Sequence, residues 1–391
     1  MLRFLIAALV IALAGPAAGD TRVAIIDAAW NTGPYAKALK QRGVEVVGRY
    51  LARCPQPERH IPEKRLIDQG STRERGSEVN AILDAGMAIL SIYQYNNDSK
   101  NKFLGRDRNG KPLPDAACRP TTRSRTPAEE ASLDAHAAVA QAGVLGQPSG
   151  SAIYFGVDIA FSKNDAATRK AMVTYFRTVR GILTRSGFRL GAYGNGDALE
   201  VLQAERLIDY AWLSASRAYP GTSRFHNSGR WHLFQNQVNR VWFDGAPGSC
   251  TGGLPIDTNM KNERFADTAL GFWNRKGVVR LSPRRTRSVY KARRFACDGN
   301  ALIRKSAGSG ARDLLANTSR CVGRRARPHD KTIDFANSAR IGRRQGSVVE
   351  VDYDDDGTFD GWTSASNLSR NFSQKPEWIF SKSQRSAARC R

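Results

Sequence analysis

The chain has 391 residues, 41% of them hydrophobic, and a formal net charge of +24. This length suits two or three domains, and the hydrophobic fraction is sufficient for packed cores. So basic a composition is typical of a protein that is attracted to anionic polymers, although a solvated surface explains it equally well. After residue 20 no stretch is long and apolar enough to cross a bilayer, which argues against a membrane-embedded body.

Residues 1–19 are typical of an export signal. Arg3 supplies the positive start, residues 4–14 form an apolar core, and Ala17-Ala18-Gly19 makes a small-residue cleavage site. The apolar core has about 11 residues, fewer than the roughly 20 that span a bilayer, which disfavours an uncleaved anchor. We therefore expect an exported protein, periplasmic or extracellular, without a membrane span once the signal is removed.

Export permits disulfide bonds. The sequence contains six cysteines, at positions 54, 118, 250, 297, 321 and 390. Sequence alone does not choose among the possible pairings, but proximity along the chain favours Cys54–Cys118 and Cys297–Cys321. Neither CxxC nor CxxH spacing occurs, which disfavours a zinc site.

Short apolar segments alternate with helical ones from residue 22 to residue 273. Glycines follow several of the helical segments, and Thr126-Pro127-Ala128-Glu129 has the pattern of a capping box. The predicted strands cover residues 22–28, 44–51, 87–95, 152–157, 188–193, 210–214, 231–235 and 254–256. The predicted helices cover residues 34–42, 75–85, 126–142, 165–185, 198–204 and 263–273, and a long polar loop covers 96–125.

Eight short strands that alternate mostly with helices over about 250 residues predict a (β/α)8 TIM barrel. We assign this α/β domain to residues 20–274. An open doubly wound sheet is the competing fold, although it explains the number of strands less well. The helix between the sixth and seventh strands is poorly marked, and the eighth strand is short.

The composition changes after residue 275. Between residues 274 and 391 there are 26 Lys and Arg against 11 Asp and Glu, while helical periodicity fades. The segment GSVVEVDYDDDGTFDGWTSASNLS predicts a strand, an acidic turn and a further strand. We predict a small all-β module over residues 278–372 and a basic tail over 373–391.

Three aspartates stand at the ends of predicted strands: Asp27, Asp158 and Asp257. Active sites of parallel barrels lie at the carboxyl ends of the strands, so these residues predict a shared cleft. Each of them could instead be a buried structural carboxylate. The polar or aromatic residues expected at the other strand ends, as substrate-binding groups, are Arg49, Gln94, Tyr193, Trp212 and Gln235.

Such a ring of side chains suits a carbohydrate. Aromatic faces stack on sugar rings, and carboxylates supply acid, base or electrostatic stabilisation in glycoside chemistry. The sequence therefore predicts that Asp27, Asp158 and Asp257 are catalytic residues, with Asp158 at the centre of the site.

A family resemblance supports this interpretation. The segments that carry it are IIDAAW, VVGRYL, EVNAILDAGMAILSIYQY, PSGSAIYFGVDIA, LGAYGNGDAL and PIDTN. In this order they resemble the glycoside-hydrolase-like domain family, whose members are relatives of the family-25 lysozymes. The resemblance implies a TIM barrel with a cleft at the strand carboxyl ends and acids on strands one, four and eight, which are Asp27, Asp158 and Asp257 here.

One residue departs from the lysozyme pattern. Family-25 lysozymes carry a Glu two positions after the strand-four Asp as the proton donor, and this position is Ala160 here. Hydrolysis would need another general acid, such as Asp27 or Asp257, with Asp158 as stabiliser or nucleophile, or assistance from an N-acetyl group of the substrate. Otherwise the barrel binds a glycan without cutting it.

The acidic turn near the carboxyl terminus fits the start of a calcium loop. Asp352, Asp354 and Asp356 alternate before Gly357, although position twelve of such a loop is Thr363 instead of Glu, and an acidic hairpin turn is the favoured alternative. No other cofactor is expected. Residues 348–368 resemble the end of a bacterial SH3-like domain, which implies a wall-binding module.

We therefore expect an exported, lysozyme- or muramidase-like protein that acts on peptidoglycan or a similar N-acetylated polysaccharide. The alternatives are a non-catalytic glycan-binding protein on the same fold and a cationic interaction protein. In each case the basic carboxyl-terminal region is expected to attract anionic polymers.

Overall fold

A computed structural model describes residues 23–54, 78–95, 99–243 and 254–281, together with strand segments between residues 292 and 369. Its largest sheet has ten strands, and a second sheet has five. Within the described residues, no helix is long and apolar enough to cross a membrane.

Eight strands close into a barrel, as the sequence predicts. Consecutive strands from β1 to β7 are parallel to one another, and β8 closes the ring between β7 and β1. The strands are β1 Ile25–Asp27, β2 Val46–Leu51, β3 Ala88–Tyr93, β4 Ala152–Val157, β5 Arg189–Gly194, β6 Tyr210–Leu213, β7 Leu233–Trp242 and β8 Leu254–Lys261.

In the described part of the chain, six α-helices alternate with these strands. They are α1 Ala36–Gln41, α2 Glu78–Asp84, α3 Pro127–Val144, α4 Ala166–Arg185, α5 Gly196–Ala204 and α6 Thr222–Ser228. The predicted capping box is present at α3, where Thr126 Oγ1 accepts from the Glu129 amide and Glu129 accepts from the Thr126 amide. Helix α6 occupies the connection in which the sequence marks a helix poorly.

Two apolar layers flank the barrel wall. Alternate residues of each strand face opposite sides, so Leu90 and Ile92 pack inside the barrel while Ile89 and Tyr93 pack against the helices. The same alternation determines which polar residues face the cleft at the carboxyl ends of the strands.

Strand β8 runs antiparallel to both neighbours, which differs from the expected parallel barrel. Strand β7 continues to Trp242 and pairs with β8 from Leu233–Lys261 to Trp242–Leu254. An antiparallel pair needs no crossover helix, so these strands form a long hairpin. Asp257 consequently lies inside β8, and it is not at the carboxyl end of that strand.

The helix predicted over residues 263–273 is wrong. A short 3-10 helix, Glu263–Phe265, is followed by the antiparallel strands β9 (Phe272–Asn274) and β10 (Gly277–Val279). Leu270 and Phe272 pack inside the amino-terminal end of the barrel, where Tyr154 donates a hydrogen bond to the Leu270 carbonyl at 2.8 Å. The apolar residues of this segment close the barrel instead of forming a helix face, and β10 extends the barrel sheet beyond the predicted boundary at residue 274.

The second sheet is antiparallel, in agreement with a small all-β module. Its strands, in spatial order, are β18 (Gly361–Ser364), β17 (Val348–Asp352), β16 (Ser338–Gln345), β11 (Ala292–Ala296) and β19 (Leu368–Ser369). Two further strand pairs are β12 (Ala301–Leu302) with β15 (Thr332–Ile333) and β13 (Ala316–Val322) with β14 (Arg325–Asp330). Its SH3-like character stays a prediction.

The predicted disulfide Cys54–Cys118 is confirmed. It joins the end of β2 to the loop before α3, across 64 positions of sequence. The adjacent Arg53 is buried and ion-pairs with Glu130 of α3 at 2.7 Å. A disulfide bond and a buried ion pair therefore both anchor the segment that follows β2. The second predicted pair includes Cys297, which lies outside the described residues.

Candidate functional site

Asp27 and Asp257 face each other across the β1–β8 pair. They are direct register partners in this antiparallel ladder. The Cβ atoms of such partners lie about 4.5–5.5 Å apart, which brings two carboxylates into the same small region. Asp27 is only 1% exposed, whereas Asp257 is partly exposed.

Asp27 is held by hydrogen-bond donors on both oxygens. Tyr50 Oη donates to Oδ1 at 2.7 Å, and Asn259 Nδ2 donates to Oδ2 at 2.8 Å. Burial nevertheless raises the pKa of Asp27 to about 6, while the hydrogen bonds from Asn259, Tyr50 and Gln235 oppose the shift. Asp27 can therefore keep or lose its proton near neutral pH.

A short hydrogen-bonded chain leads from Asp257 to Tyr193. Gln235 Nε2 donates to Asp257 Oδ2 at 2.9 Å, and Tyr193 Oη donates to Gln235 Oε1 at 2.9 Å. Tyr193 thus fixes the orientation of the Gln235 amide. With Oε1 occupied by the tyrosine, Nε2 is directed at the carboxylate.

Asp158 directly follows β4 and is partly exposed, as expected for a residue at a strand's carboxyl end. Burial and then the negative charges of Asp158, Asp27 and Asp257 raise the pKa of Tyr193 well above its ordinary value. One tyrosine hydroxyl is therefore within electrostatic range of all three predicted acids. The pKa of Tyr219 is also raised, first by burial and then by Asp158, which places Tyr219 on the Asp158 side.

The prediction that Arg49 binds substrate is corrected by its position. Arg49 is fully buried, and its guanidinium bonds Glu78 of α2 at 2.6 and 3.0 Å. It faces the helix layer because it alternates with Gly48 and Tyr50 along β2. Tyr50, the next residue, faces the cleft in its place.

The other residues predicted to bind substrate differ in how deeply they are buried. Trp212 is 1% exposed and donates through Nε1 to Asn259 Oδ1 at 2.8 Å, so it supports the floor of the cleft and offers no open face to a sugar. Gln235 is buried above it, and Tyr193 packs edge-on against Trp212 with ring centroids 4.8 Å apart. Gln94 directly follows β3 and is partly exposed.

Three residues that interact with the predicted acids were not identified in the sequence: Tyr50, Asn259 and Tyr219. Tyr50 and Asn259 lie two positions from inward-facing residues on their own strands, so strand alternation could have identified them once one inward residue was known. Tyr219 lies in the loop after β6, where no periodic pattern exists.

No group of three or more metal-ligating side chains that could hold an ion is found among the described residues. This finding does not test the predicted calcium ligands near the carboxyl terminus. The side chains of Asp352, Asp354 and Asp356 lie outside what the structure describes.

Chemically, the site combines a buried carboxyl whose pKa is raised to about 6, an adjacent, partly exposed carboxylate and a third carboxylate directly after β4. Two carboxyl groups with different environments are the requirement for general acid and stabiliser roles in glycoside cleavage. The same groups can also bind sugar hydroxyls through hydrogen bonds.

Part of this chain is similar to known proteins. The family model described as Rv2525c-like, glycoside hydrolase-like domain matches residues 37–249. The uncharacterized protein YbfG of Bacillus subtilis (strain 168) is 24% identical over 234 residues, which are 58% of this chain. This chain spans 27% of the length of that relative.

Two solved structures resemble this chain at lower sequence identity. The Mycobacterium tuberculosis Tat-secreted protein Rv2525c, in complex with L-tartrate, is 19% identical, with a TM-score of 0.46 over 64% of this chain and 98% of that chain. An uncharacterized B. stearothermophilus protein is 17% identical, with a TM-score of 0.36 over 62% of this chain and 97% of that chain.

Proposed function

Since this chain belongs to the Rv2525c-like glycoside hydrolase-like domain family, we propose that its barrel binds N-acetylated cell-wall polysaccharide in the cleft of Asp27, Asp158 and Asp257 and hydrolyses it. The observation that carries the proposal is geometric: Asp27 and Asp257 are register partners, and Gln235 links Asp257 to Tyr193 by hydrogen bonds. Tyr193 lies on β5, the strand next to β4, which leads into Asp158.

The different environments of the acids suggest their roles. Asp27 is buried and Asp257 is its partly exposed neighbour, so we assign one shared proton to this pair. Asp257 delivers the proton to the leaving glycosidic oxygen, and Asp27 is the buried partner that retains it up to about pH 6. Asp158 stabilises the developing positive charge at the anomeric carbon or acts as the nucleophile.

This assignment replaces the missing Glu of the lysozyme pattern. Ala160 is exposed at the corresponding position and carries no proton. Asp27 and Asp257 therefore have to supply the proton if the glycan is cut. Because Asp27 holds the shared proton with a pKa of about 6, activity should fall as the pH rises above 6.

The test is an assay of reducing ends released from purified peptidoglycan by the full chain, between pH 4 and 8. Wild type should release them, while Asp158→Asn and Asp257→Asn should each lose about 100-fold or more, as expected when a general acid or a charge stabiliser is removed. Equal background release from wild type and Asp158→Asn would end the hydrolase proposal.

Ala160 itself favours the second candidate, a non-catalytic glycan-binding protein on the same fold. In that case wild type binds peptidoglycan without releasing reducing ends, and Asp158→Asn weakens binding. A structural barrel with a purely cationic interaction surface is the third candidate. It predicts binding that disappears in high salt whatever the state of the cleft.

We also propose export, a wall-binding role for the carboxyl-terminal β-module and attraction of anionic polymers by its basic residues. Residues 1–19 support export through their signal-like pattern, and the Cys54–Cys118 bond suits an oxidising compartment. The 26 Lys and Arg between residues 274 and 391 support the attraction of anions.

A further inference from the structure

Trp30 is an exposed aromatic residue on the loop that follows β1. The residue is 36% exposed. The tryptophans of the barrel sheet, Trp212, Trp242 and Trp273, are at most 2% exposed. A single exposed apolar residue is normal on a protein surface, so a role for Trp30 has to follow from the position of its loop.

Hydrogen bonds to buried side chains hold the loop backbone before and after Trp30. Arg49 Nη1 donates to the carbonyl of Ala28, before Trp30. Glu78 Oε1 accepts from the Thr32 amide at 2.7 Å and from Thr32 Oγ1 at 2.8 Å, after Trp30. Because Arg49 and Glu78 are themselves a buried ion pair, they hold Ala28 and Thr32 in a fixed relation.

Trp30 lies close to Asp27 in the sequence. It is three residues beyond Asp27, so the two Cα atoms are separated by at most about 10 Å. Strand β1 ends at Asp27, which places the loop at the same end of the barrel as the carboxylates. Asp27 faces the barrel interior opposite Asp257, and the loop of Trp30 lies at the rim of this end of the barrel.

A rigid indole at such a rim suits one class of ligand. Sugar rings present an apolar face of C–H groups, and aromatic side chains offer a flat surface of matching size. The fixed loop reduces the conformational entropy that is lost when a ligand stacks on the ring. Charged polymers without an apolar face gain nothing from this arrangement.

We propose that Trp30 is a stacking platform for a sugar ring of the glycan, next to the ring that lies over the carboxylates, and that Arg49 and Glu78 are positioning residues for it. The inference rests on the proposed function, because it assumes that the cleft binds a glycan. It makes Trp30 a determinant of affinity and leaves the proton-transfer groups unchanged.

The test is co-sedimentation of the full chain with peptidoglycan in 1 M salt, a condition that screens charge attraction. Trp30→Ala should weaken binding roughly three- to tenfold, the range expected for one aromatic stack. Trp30→Phe should lose less, because it keeps a smaller aromatic face. Val144→Ala is the matched control, since Val144 is a 62% exposed apolar residue at the end of α3, towards the amino-terminal end of the barrel.

The outcomes separate this inference from the proposed function. If wild type binds and Trp30→Ala binds equally well, the stacking platform is wrong and the glycan cleft stands. If wild type itself does not bind peptidoglycan in high salt, both are wrong. An equal loss in Trp30→Ala and Val144→Ala would also overturn the platform, since it would show a general effect of removing surface apolar area.

Discussion

At the scale of single residues, Asp27 combines features that seldom occur together. It is almost completely buried, it accepts hydrogen bonds from Tyr50 and Asn259, and it lies opposite Asp257. Burial disfavours the charged carboxylate more than these hydrogen bonds favour it, so the pKa rises to about 6. A purely structural carboxylate with two donors would more commonly have a lowered pKa.

The raised pKa of Asp27 makes the stability of the fold depend on pH. The folded protein holds this proton between pH 3.8 and about 6, where the unfolded chain has lost it. The free energy of unfolding should therefore decrease by about 3 kcal/mol as the pH rises through this window. Urea unfolding at pH 4 and pH 7 measures the difference.

Substitution of Asp27 isolates its contribution. Asp27→Asn is neutral at every pH, so most of the decrease in unfolding free energy between pH 4 and 7 should vanish in this variant. Asp267→Asn, which changes an exposed carboxylate, is the control and should keep the wild-type profile. A wild-type profile in Asp27→Asn would show that the titration belongs to another group.

At the scale of elements, the contact of β2 with α2 fixes the loop after β1. Arg49 of β2 and Glu78 of α2 form a buried ion pair, and each also bonds the loop's backbone. Breaking one partner of such a pair leaves a buried charge without compensation. The pair therefore serves the arrangement of the cleft, although neither residue lines it.

We expect Glu78→Gln to destabilise the protein by about 3–5 kcal/mol, the usual cost of leaving a buried charge unpaired. Asp84→Asn is the matched comparison, because Asp84 lies on the same helix and pairs with Arg275 at 2.6 Å on the surface. Its loss should cost less than about 1 kcal/mol. Chemical unfolding of both variants measures the contrast, and similar losses in the two would contradict the role given to burial.

At the scale of the whole molecule, salt can distinguish attraction by net charge from recognition in the cleft. The net charge of +24 attracts any polyanion over roughly 10 Å at 0.1 M salt and over roughly 3 Å at 1 M. Hydrogen bonds and stacking in the cleft depend much less on salt.

Retention on phosphocellulose should therefore be lost when the salt is raised from 0.1 to 1 M, because it depends on charge alone. Binding to peptidoglycan should persist in the same 1 M salt if the cleft recognises the glycan. Parallel loss of both would favour the cationic interaction protein over a glycan-binding barrel.

The sequence determined the class of fold and indicated which acids follow the barrel strands. Apolar runs such as residues 152–157 end in a carboxylate because a strand buried on both faces is apolar throughout and leads into the polar end of a barrel. The capping box at Thr126 and the Cys54–Cys118 pair were visible for local reasons, since both depend on side chains that are near in sequence or in adjacent loops.

Only the tertiary structure decided which side chains meet. The run VVGRYL shows no alternation of polar and apolar residues, so it cannot reveal that Tyr50 faces the cleft and Arg49 the helices. The direction of β8 and the closing segment at Leu270–Phe272 likewise depend on how the barrel closes. Facing, strand direction and closure arise from contacts between distant parts of the chain, and these contacts placed Asp257 opposite Asp27.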